Sequence, residues 1–473
     1  MKKTLLVILS LLILLPAFAA QEAEKKSAPV KEHLQNHFKI YGFIRNYFVF
    51  DSRESKAGTG DLFYYLPLDN KWNTSILDNP AREDLNASPN FRFLALTSRV
   101  AFDVSGYYIN NLHFGAKVEG DFYSGLTKLN STSGLSGNTN VSGTAQARLR
   151  QAYVTLTWKD LAMKGEQTAQ VGLKIGQAWH PMAADMPHVF GLETGAPFGP
   201  FSRTPQVTVD ASFGKNWIVS ASAIWQQQYQ SAGPDGASAS YQKYACTPEA
   251  YAGVSYKGKD FLVRGGVDVV SIKPRNIGKN ADGYTVHVKD RKTSILGFLY
   301  GQYTYKMLQV KAKTTFGEGG EHMNLMSGYA VVDKSDPTNW KYASLINSSS
   351  WVSASYGKKW QGVLFLGYAK NFGLAKPTET GYVKKSDVYF CSNGFSNINQ
   401  LYRINPQGLY NLGKFTVGVE YQWTAVQYGK YINGELKDTN ETVELLNGIG
   451  LPWKNTLHWV GNHRVNVMVK FTF

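Results

Sequence analysis

The sequence predicts an all-β protein, a transmembrane antiparallel β-barrel of about 16 strands with long outer loops and short periplasmic turns. Three observations support this fold class. Apolar and polar residues alternate with a period of two from about Phe38 onward, long and short connections alternate between these segments, and the last segment ends in an aromatic residue, Phe473. Alternation by itself also fits a soluble β-sandwich, so the other two observations favour the membrane barrel.

The first residues have the pattern of a secretory signal peptide. A basic start is followed by an apolar run from Thr4 to Leu15 and by an Ala-x-Ala pattern that ends at Ala19. The run is shorter than the about 20 residues that a helix needs to span a bilayer. The predicted organisation is a signal peptide over 1–19, a short periplasmic segment over 20–37 and the barrel over 38–473. The predicted location is the outer membrane of a Gram-negative cell.

The alternating segments assign side chains to the two faces of each predicted strand. In the segment from Leu94 to Val104, Leu94, Leu96 and Val100 are predicted on one face and Arg99 on the other. A membrane barrel directs its apolar face toward lipid and its polar face toward the lumen. The apolar set is therefore expected to contact lipid.

Connection lengths predict the number of strands. About eight long connections are interleaved with about seven short turns, as expected of a barrel with long outer loops. The long connections run over residues 52–90, 124–145, 177–205, 231–247, 273–291, 317–345, 371–394 and 429–461. Irregular stretches at 353–357 and 405–407 leave the strand count open by two.

Aromatic residues mark the predicted membrane boundaries and the end of the last strand. Trp158, Trp217 and Trp360 lie near segment ends, as expected of aromatic girdles. The ending Lys-Phe-Thr-Phe, which closes at Phe473, resembles the assembly signal of outer-membrane barrels. The expected partners are therefore outer-membrane lipid and the barrel-assembly machinery.

The charge balance restricts the class of partner. The chain has a formal net charge of +15, with 50 Lys and Arg residues against 35 Asp and Glu. These basic residues are scattered along alternating segments, which disfavours nucleic acid and favours anionic solutes or an acidic membrane surface. The nine histidines show no recognisable spacing with a nucleophile, so the sequence predicts no catalytic residues and no enzyme activity.

The two cysteines, Cys246 and Cys391, lie far apart in polar stretches. A disulfide between two loops and two free thiols are both compatible with this placement. The spacing of Cys and His residues is not that of a metal site, so neither a metal nor a cofactor is predicted.

The connection from Gln177 to Pro205 is the most distinctive one. It is rich in proline, glycine and alanine and has few long charged side chains. Such a stiff loop is predicted to fold back into the lumen and narrow it, with candidate lining residues His180, Asp185, His188 and Glu193. The alternative is a surface lid or a contact between subunits.

Basic residues are expected to face this loop across the lumen. Arg148 and Arg150 form the tightest pair, because a spacing of two directs both side chains to one face of a strand. Guanidinium groups offer a fixed geometry to carboxylate or phosphate, and positive charge lowers the entry barrier for anions. The alternative is that lumen charges are solvated or paired with Asp103, Glu119 and Asp121. The predicted pore-lining, anion-binding residues are Arg99, Lys117, Arg148, Arg150, Lys174, Arg203 and Arg264.

Four short motifs together resemble porins of the DcaP-like family, in a Bacteroidetes-type version. They are Ile40-Tyr-Gly-Phe-Ile-Arg45, Arg148-x-Arg-x-Ala-Tyr-Val154, Gly176-Gln177 and Arg203-x-Pro-Gln206. The resemblance implies a homotrimer of sixteen-stranded barrels with a basic lumen that favours dicarboxylates and other small anions. The expected function is passive diffusion of small hydrophilic solutes. The alternative is a structural or adhesive barrel with a filled lumen.

Overall fold

The computed structural model describes most of the chain beyond the predicted leader. The described residues are 37–58, 63–95, 98–124, 145–162, 168–191, 194–376, 383–384, 387–391, 395, 398–429, 442–443 and 457–473. The predicted signal peptide and nearly all of the periplasmic segment lie outside them. The helical elements of this part are α1 (Ser240–Ala245) and two 3-10 turns, Pro181–Ala183 and Glu321–Met323. None of its helices has the length and hydropathy needed to cross a bilayer.

Sixteen antiparallel strands within the described ranges form a closed barrel, as predicted. They are β1 (Phe38–Asp51), β2 (Asn90–Leu94 and Arg99–Ile109), β3 (Leu112–Ser124), β4 (Ala145–Ala162), β5 (Thr168–Trp179), β6 (Arg203–Phe213), β7 (Trp217–Ile224), β8 (Glu249–Lys257), β9 (Phe261–Ile272), β10 (Lys292–Tyr305), β11 (Leu308–Glu318), β12 (Lys341–Gly357), β13 (Trp360–Leu374), β14 (Ile398–Leu412), β15 (Phe415–Tyr428) and β16 (His458–Thr472).

Shorter strands lie in the long connections. Two hairpins and a remote pair are formed by Ser55–Gly58 with Phe63–Pro67, Ile277–Lys279 with Thr285–His287, and Val383–Lys384 with Thr442–Val443. Gly328–Asp333 pairs with both β12 and Val388–Phe390. The barrel sheet therefore continues beyond the barrel on one side.

The barrel closes between the first and last strands. Residues Phe43–Asp51 of β1 pair with Arg464–Thr472 of β16, while the other edge of β1 pairs with both segments of β2. This closure gives each barrel strand a neighbour on both sides. Lipid offers no hydrogen-bond partner to an open sheet edge, so closure is the condition for placing a sheet in a membrane.

The faces of the strands are inverted relative to a soluble protein. On β1, Ile40 and Phe48 are 65 % and 40 % exposed, while Asp51 is fully buried. On β15, Val419 is exposed and its neighbour Glu420 is fully buried. Apolar residues outside and polar residues inside fit a barrel in lipid and not a sandwich with an apolar core.

The face assignment of β2 is partly wrong. Phe91 and Phe93 are exposed on the outside, whereas Leu94 packs against the interior cluster. Val100 is again on the outside. The strand is interrupted between its two segments, and Val100 follows Phe93 by an odd number of positions, so the alternation is shifted by one. Leu94 therefore does not share the lipid face with Val100, and Leu96 lies outside the described residues.

The long and short connections alternate as the sequence predicts. The irregular stretches 353–357 and 405–407 lie within β12 and β14 and do not end those strands. Pro406 has no backbone N–H, and the pairing of β14 with β15 is interrupted at residues 405–406 while that with β13 continues. The two cysteines are not joined in a disulfide: Cys246 is exposed and Cys391 is buried.

We expect Phe473→Asp to lower the amount of folded barrel. The backbone N–H of Phe473 donates to the Gly42 carbonyl at 3.1 Å, so the residue continues the pairing of β1 with β16. Its ring is partly exposed on the lipid side, and losing its apolar contacts costs about 1–3 kcal/mol. The folded fraction is measured as the heat-modifiable band of unboiled protein, with Phe473→Tyr as the control. Equal folded fractions in all three proteins would contradict this role.

Candidate functional site

The connection after β5, residues 180–202, is named loop L3 here, and its described residues, 180–191 and 194–202, lie inside the barrel. The Tyr47 hydroxyl of β1 donates to the Phe190 carbonyl at 2.6 Å. The backbone N–H of His188 donates to Ser353 Oγ of β12 at 2.9 Å, and Arg403 Nη1 of β14 donates to the Ala196 carbonyl at 3.1 Å. These wall side chains all lie on the interior faces of their strands, so L3 occupies the lumen.

Basic side chains of the wall bind the backbone of L3. Lys313 of β11 donates to the carbonyl of Met182 and, at 3.4 Å, to that of Asp185. Lys311 donates to the Met186 carbonyl at 3.3 Å. A loop in the lumen must find partners for its backbone carbonyls, and these ammonium groups supply them.

Aromatic packing fills the space between L3 and the wall. Phe198 is fully buried, and its ring centre lies 6.0 Å from that of Phe365 on β13 in an edge-on arrangement. A Cβ added to Gly367 would lie 2.4 Å from the Phe198 ring, so only glycine leaves room for it. The loop is therefore held by an apolar core inside the barrel as well as by polar contacts.

Three of the predicted loop residues are engaged in contacts that hold the loop, and Glu193 lies outside the described residues. Asp185 forms an ion pair of 2.9 Å with Arg264 of β9. His188 Nε2 lies 2.6 Å from Gln309 Oε1, and burial together with the Lys311 ammonium lowers the pKa of His188. His180 is fully buried at the base of the loop.

Arg148 and Arg150 lie inside the barrel and are paired with carboxylates of β3. Arg150 donates to Glu119 and to Asp121, both at 2.7 Å. Arg148 contacts both oxygens of Asp121 at 2.9 Å. A bulge in β4 also turns Gln151 inward, opposite Glu119. The sequence left two interpretations of Arg148 and Arg150 open, and the structure shows both side chains in ion pairs with carboxylates.

Two basic residues that the sequence analysis missed lie beside Arg99. Arg45 of β1 is the direct cross-strand partner of Lys470 on β16. The guanidinium groups of Arg45 and Arg99 lie 4.7 and 5.1 Å from the centre of the Phe43 ring. The sequence contained a signal for Arg45, because it alternates with the apolar Ile44 in the first strand and so falls on the polar face. Adjacent like charges are unfavourable in a sheet, which marks this position as unusual.

The remaining predicted residues, Lys117, Lys174 and Arg203, contact neighbouring side chains. Lys117 contacts the Tyr41 hydroxyl and lies 3.4 Å from Asp103, and Lys174 lies 5.6 Å from the centre of the Tyr153 ring. Arg203 is buried, and its backbone N–H and Nε donate to Gln228 at 3.1 and 3.0 Å.

We name the interior face of β1–β5 and β16 the basic wall; its residues are Arg45, Arg99, Lys117, Arg148, Arg150, Lys174 and Lys470.

The basic wall and loop L3 face each other. The contacts of L3 described above lie mainly on β9 and β11–β14, and β3 lies half the ring away from β11. On the basic wall, basic side chains outnumber the carboxylates of Asp103, Glu119 and Asp121. At the end of β1 that leads into the first long connection, Arg92 and Arg464 both form ion pairs with Asp51. The lumen therefore has an excess of positive charge on the side that L3 leaves open.

Comparison with solved structures identifies the fold. The outer membrane channel DcaP of Acinetobacter baumannii matches with a TM-score of 0.58 and 15% identity over 92% of this chain and 97% of that one. An anion-selective porin from Comamonas acidovorans (TM-score 0.49, 8% identity, 92% and 99% covered) and Salmonella typhi OmpF (0.47, 11%, 93% and 98%) are more distant. No protein-family model and no curated protein matches the chain.

The fold is therefore that of an outer-membrane channel, a multi-pass β-barrel of the kind seen in DcaP. This assignment is based on the DcaP comparison together with the closed sixteen-stranded sheet. At this level of identity the comparison establishes the architecture.

We expect the channel to widen when L3 is shortened. The backbone N–H of His180 donates to the Ser202 carbonyl at 3.0 Å, so the two ends of the loop are adjacent and a short Gly-Ser linker replacing 182–200 spans them. Single-channel conductance should rise and discrimination between anions and cations should weaken. Unchanged conductance with an altered oligomeric state would favour the lid or subunit-contact interpretation.

Proposed function

We propose that the protein is a porin that forms a water-filled channel for passive diffusion of small hydrophilic solutes and favours anions such as dicarboxylates. The observation that carries this proposal is the basic wall, whose cations outnumber its carboxylates and face loop L3. A narrow pathway lined by one sign of charge concentrates ions of the opposite sign.

The cluster of Arg45, Arg99 and Lys470 supports anion preference most directly. Three adjacent strands place these like charges side by side, and the carboxylate nearest to Arg99 is Glu119 at 3.8 Å. An anion between them relieves their mutual repulsion. A solute with two carboxylates can contact two of these groups at once, which supports the preference for dicarboxylates.

Aromatic rings orient the cations of the basic wall. Arg45 lies over the rings of Phe43 and Tyr47, and Lys117 lies over Tyr41 at 5.1 Å. Cation–π contact restrains a long side chain without neutralising its charge.

The homotrimer is also part of the proposal, and it is supported by the resemblance to DcaP-like porins. Chemical cross-linking of protein in native outer membranes tests it. The alternative function, a structural or adhesive barrel with a filled lumen, is separated from a porin by conductance, because a filled lumen passes no steady current.

Replacing Arg45 and Lys470 by Gln should reduce anion preference. In planar bilayers with a salt gradient, the reversal potential at low salt should move toward that of a non-selective pore. Salt should mute the difference, because the screening length falls from about 10 Å at 0.1 M to about 3 Å at 1 M.

The matched control for this experiment removes the same charge from turns on strands that do not neighbour β16, β1 or β2. Lys215 and Lys259 lie in exposed short turns, so replacing both by Gln changes the net charge equally. A shift of equal size in this control, or no shift in the Arg45 and Lys470 variant, would contradict the proposal.

Replacing Arg148 and Arg150 by Gln should lower both dicarboxylate flux and stability. The substitutions leave Asp121 buried without its ion-pair partners and leave Glu119 only the longer contact with Arg99 at 3.8 Å, and breaking one buried pair costs about 3–5 kcal/mol. Liposome swelling measures flux for dicarboxylates against neutral sugars. A fourfold variant that also carries Glu119→Gln and Asp121→Asn restores the local charge balance. Its stability should recover, and recovery of dicarboxylate flux as well would show that the arginines act only on the structure.

A further inference from the structure

Four fully buried titratable residues meet at the base of loop L3. His180 belongs to L3, Glu249 begins β8, Asp268 lies on β9, and His322 lies in the connection between β11 and β12. His180 Nε2 lies 2.6 Å from Glu249 Oε1 and 3.6 Å from Asp268 Oδ1. His322 Nε2 lies 3.2 Å from Glu249 Oε1 and 3.8 Å from Asp268 Oδ2. None of these four residues belongs to the basic wall.

The backbone determines the orientation of the His180 ring. The N–H of Met182 donates to His180 Nδ1 at 3.1 Å. His180 Nε2 then faces Glu249 Oε1 at 2.6 Å and donates to it. His180 thereby holds the Glu249 carboxylate in place.

The cluster contains buried polar atoms that lack hydrogen-bond partners among the described residues. Glu249 Oε2, Asp268 Oδ1 and both ring nitrogens of His322 are buried and make no hydrogen bond to the described residues. The nearby Lys292 is paired with Glu321 at 3.0 Å and is not a partner of these atoms. Buried polar atoms without partners are unfavourable, and one bound ion would supply a partner to several of them at once.

We propose that this cluster binds a divalent transition-metal ion, Zn²⁺, through Glu249, Asp268 and His322, with His180 hydrogen-bonded to the Glu249 ligand. The charges of the two carboxylates balance that of one divalent ion. Nitrogen and oxygen ligands suit zinc, and bonds of about 2.0–2.1 Å imply ligand–ligand distances of about 3.3 Å. The distances of 3.2 and 3.8 Å from His322 Nε2 to the carboxylates lie close to that value.

The donor set leaves a fourth zinc position for water, and the hydrogen bond from His180 to Glu249 is the outer-shell contact that metal-binding carboxylates usually have. The ion joins L3, the connection between β11 and β12, and the barrel wall. It thus stabilises the base of the loop from the side that the apolar packing of Phe198 does not reach.

The test is zinc binding to the purified, folded full-length protein. After incubation with Zn²⁺ and removal of free metal, we expect about one ion per chain by elemental analysis. His322→Gln and Glu249→Gln should reduce binding at least tenfold, and His180→Gln should weaken it by about 10–100-fold. His287→Gln, which alters an exposed histidine in another loop, is the matched control and should bind as the wild type does.

A second variant keeps the test decisive if a substitution prevents folding. His322→Cys retains a ligand, and with Co²⁺ it should show a thiolate-to-cobalt absorption band that the wild-type protein lacks. Equal zinc binding in wild type and His322→Gln would mean an adventitious ion only. A folded wild-type protein that binds no zinc would also overturn the proposal and assign the charge balance to protons on the two histidines. None of these readouts depends on channel activity.

Discussion

Every backbone amide in lipid must find its hydrogen-bond partner within the protein, and the architecture follows from this requirement. A sheet satisfies it only when closed, so the pairing of β1 with β16 determines the whole ring. Closure also separates two environments with opposite demands. The outer face contacts hydrocarbon and carries residues such as Ile40, while the inner face must accommodate Asp51 and Glu420, fully buried. The polar interior then provides the partners for a loop and for ions.

Loop L3 solves a related problem within the lumen. A chain segment that enters the barrel brings its own carbonyls, and Lys313 and Arg403 bind them from the wall. Its prolines reduce the number of N–H groups that need partners. Phe198 adds an apolar contact that water cannot replace. Some basic residues inside the barrel therefore bind the backbone of L3. Others, around Arg45, face the part of the lumen that L3 leaves open.

The strand count and most face assignments follow from the sequence, because alternation is a local property that needs no knowledge of neighbouring strands. The interruption before Arg99 was not predictable, since an extra residue leaves the local composition unchanged. Glu119 and Asp121 were recognised as alternative partners of Arg148 and Arg150, but choosing between the two interpretations required the register of β3 against β4. The cluster around Glu249 brings together four distant segments, so no spacing in the sequence indicates it.

The way L3 is bound has a consequence for how such proteins diversify. Lys313, Lys311 and Arg403 contact backbone carbonyls of the loop, which every residue type possesses. Many side chains of L3 can therefore be exchanged without loss of these bonds. The charges near Arg45 belong to other strands and are unaffected by such exchanges. The side chains of L3 can thus change while the backbone contacts that position the loop, and the charges near Arg45, stay as they were.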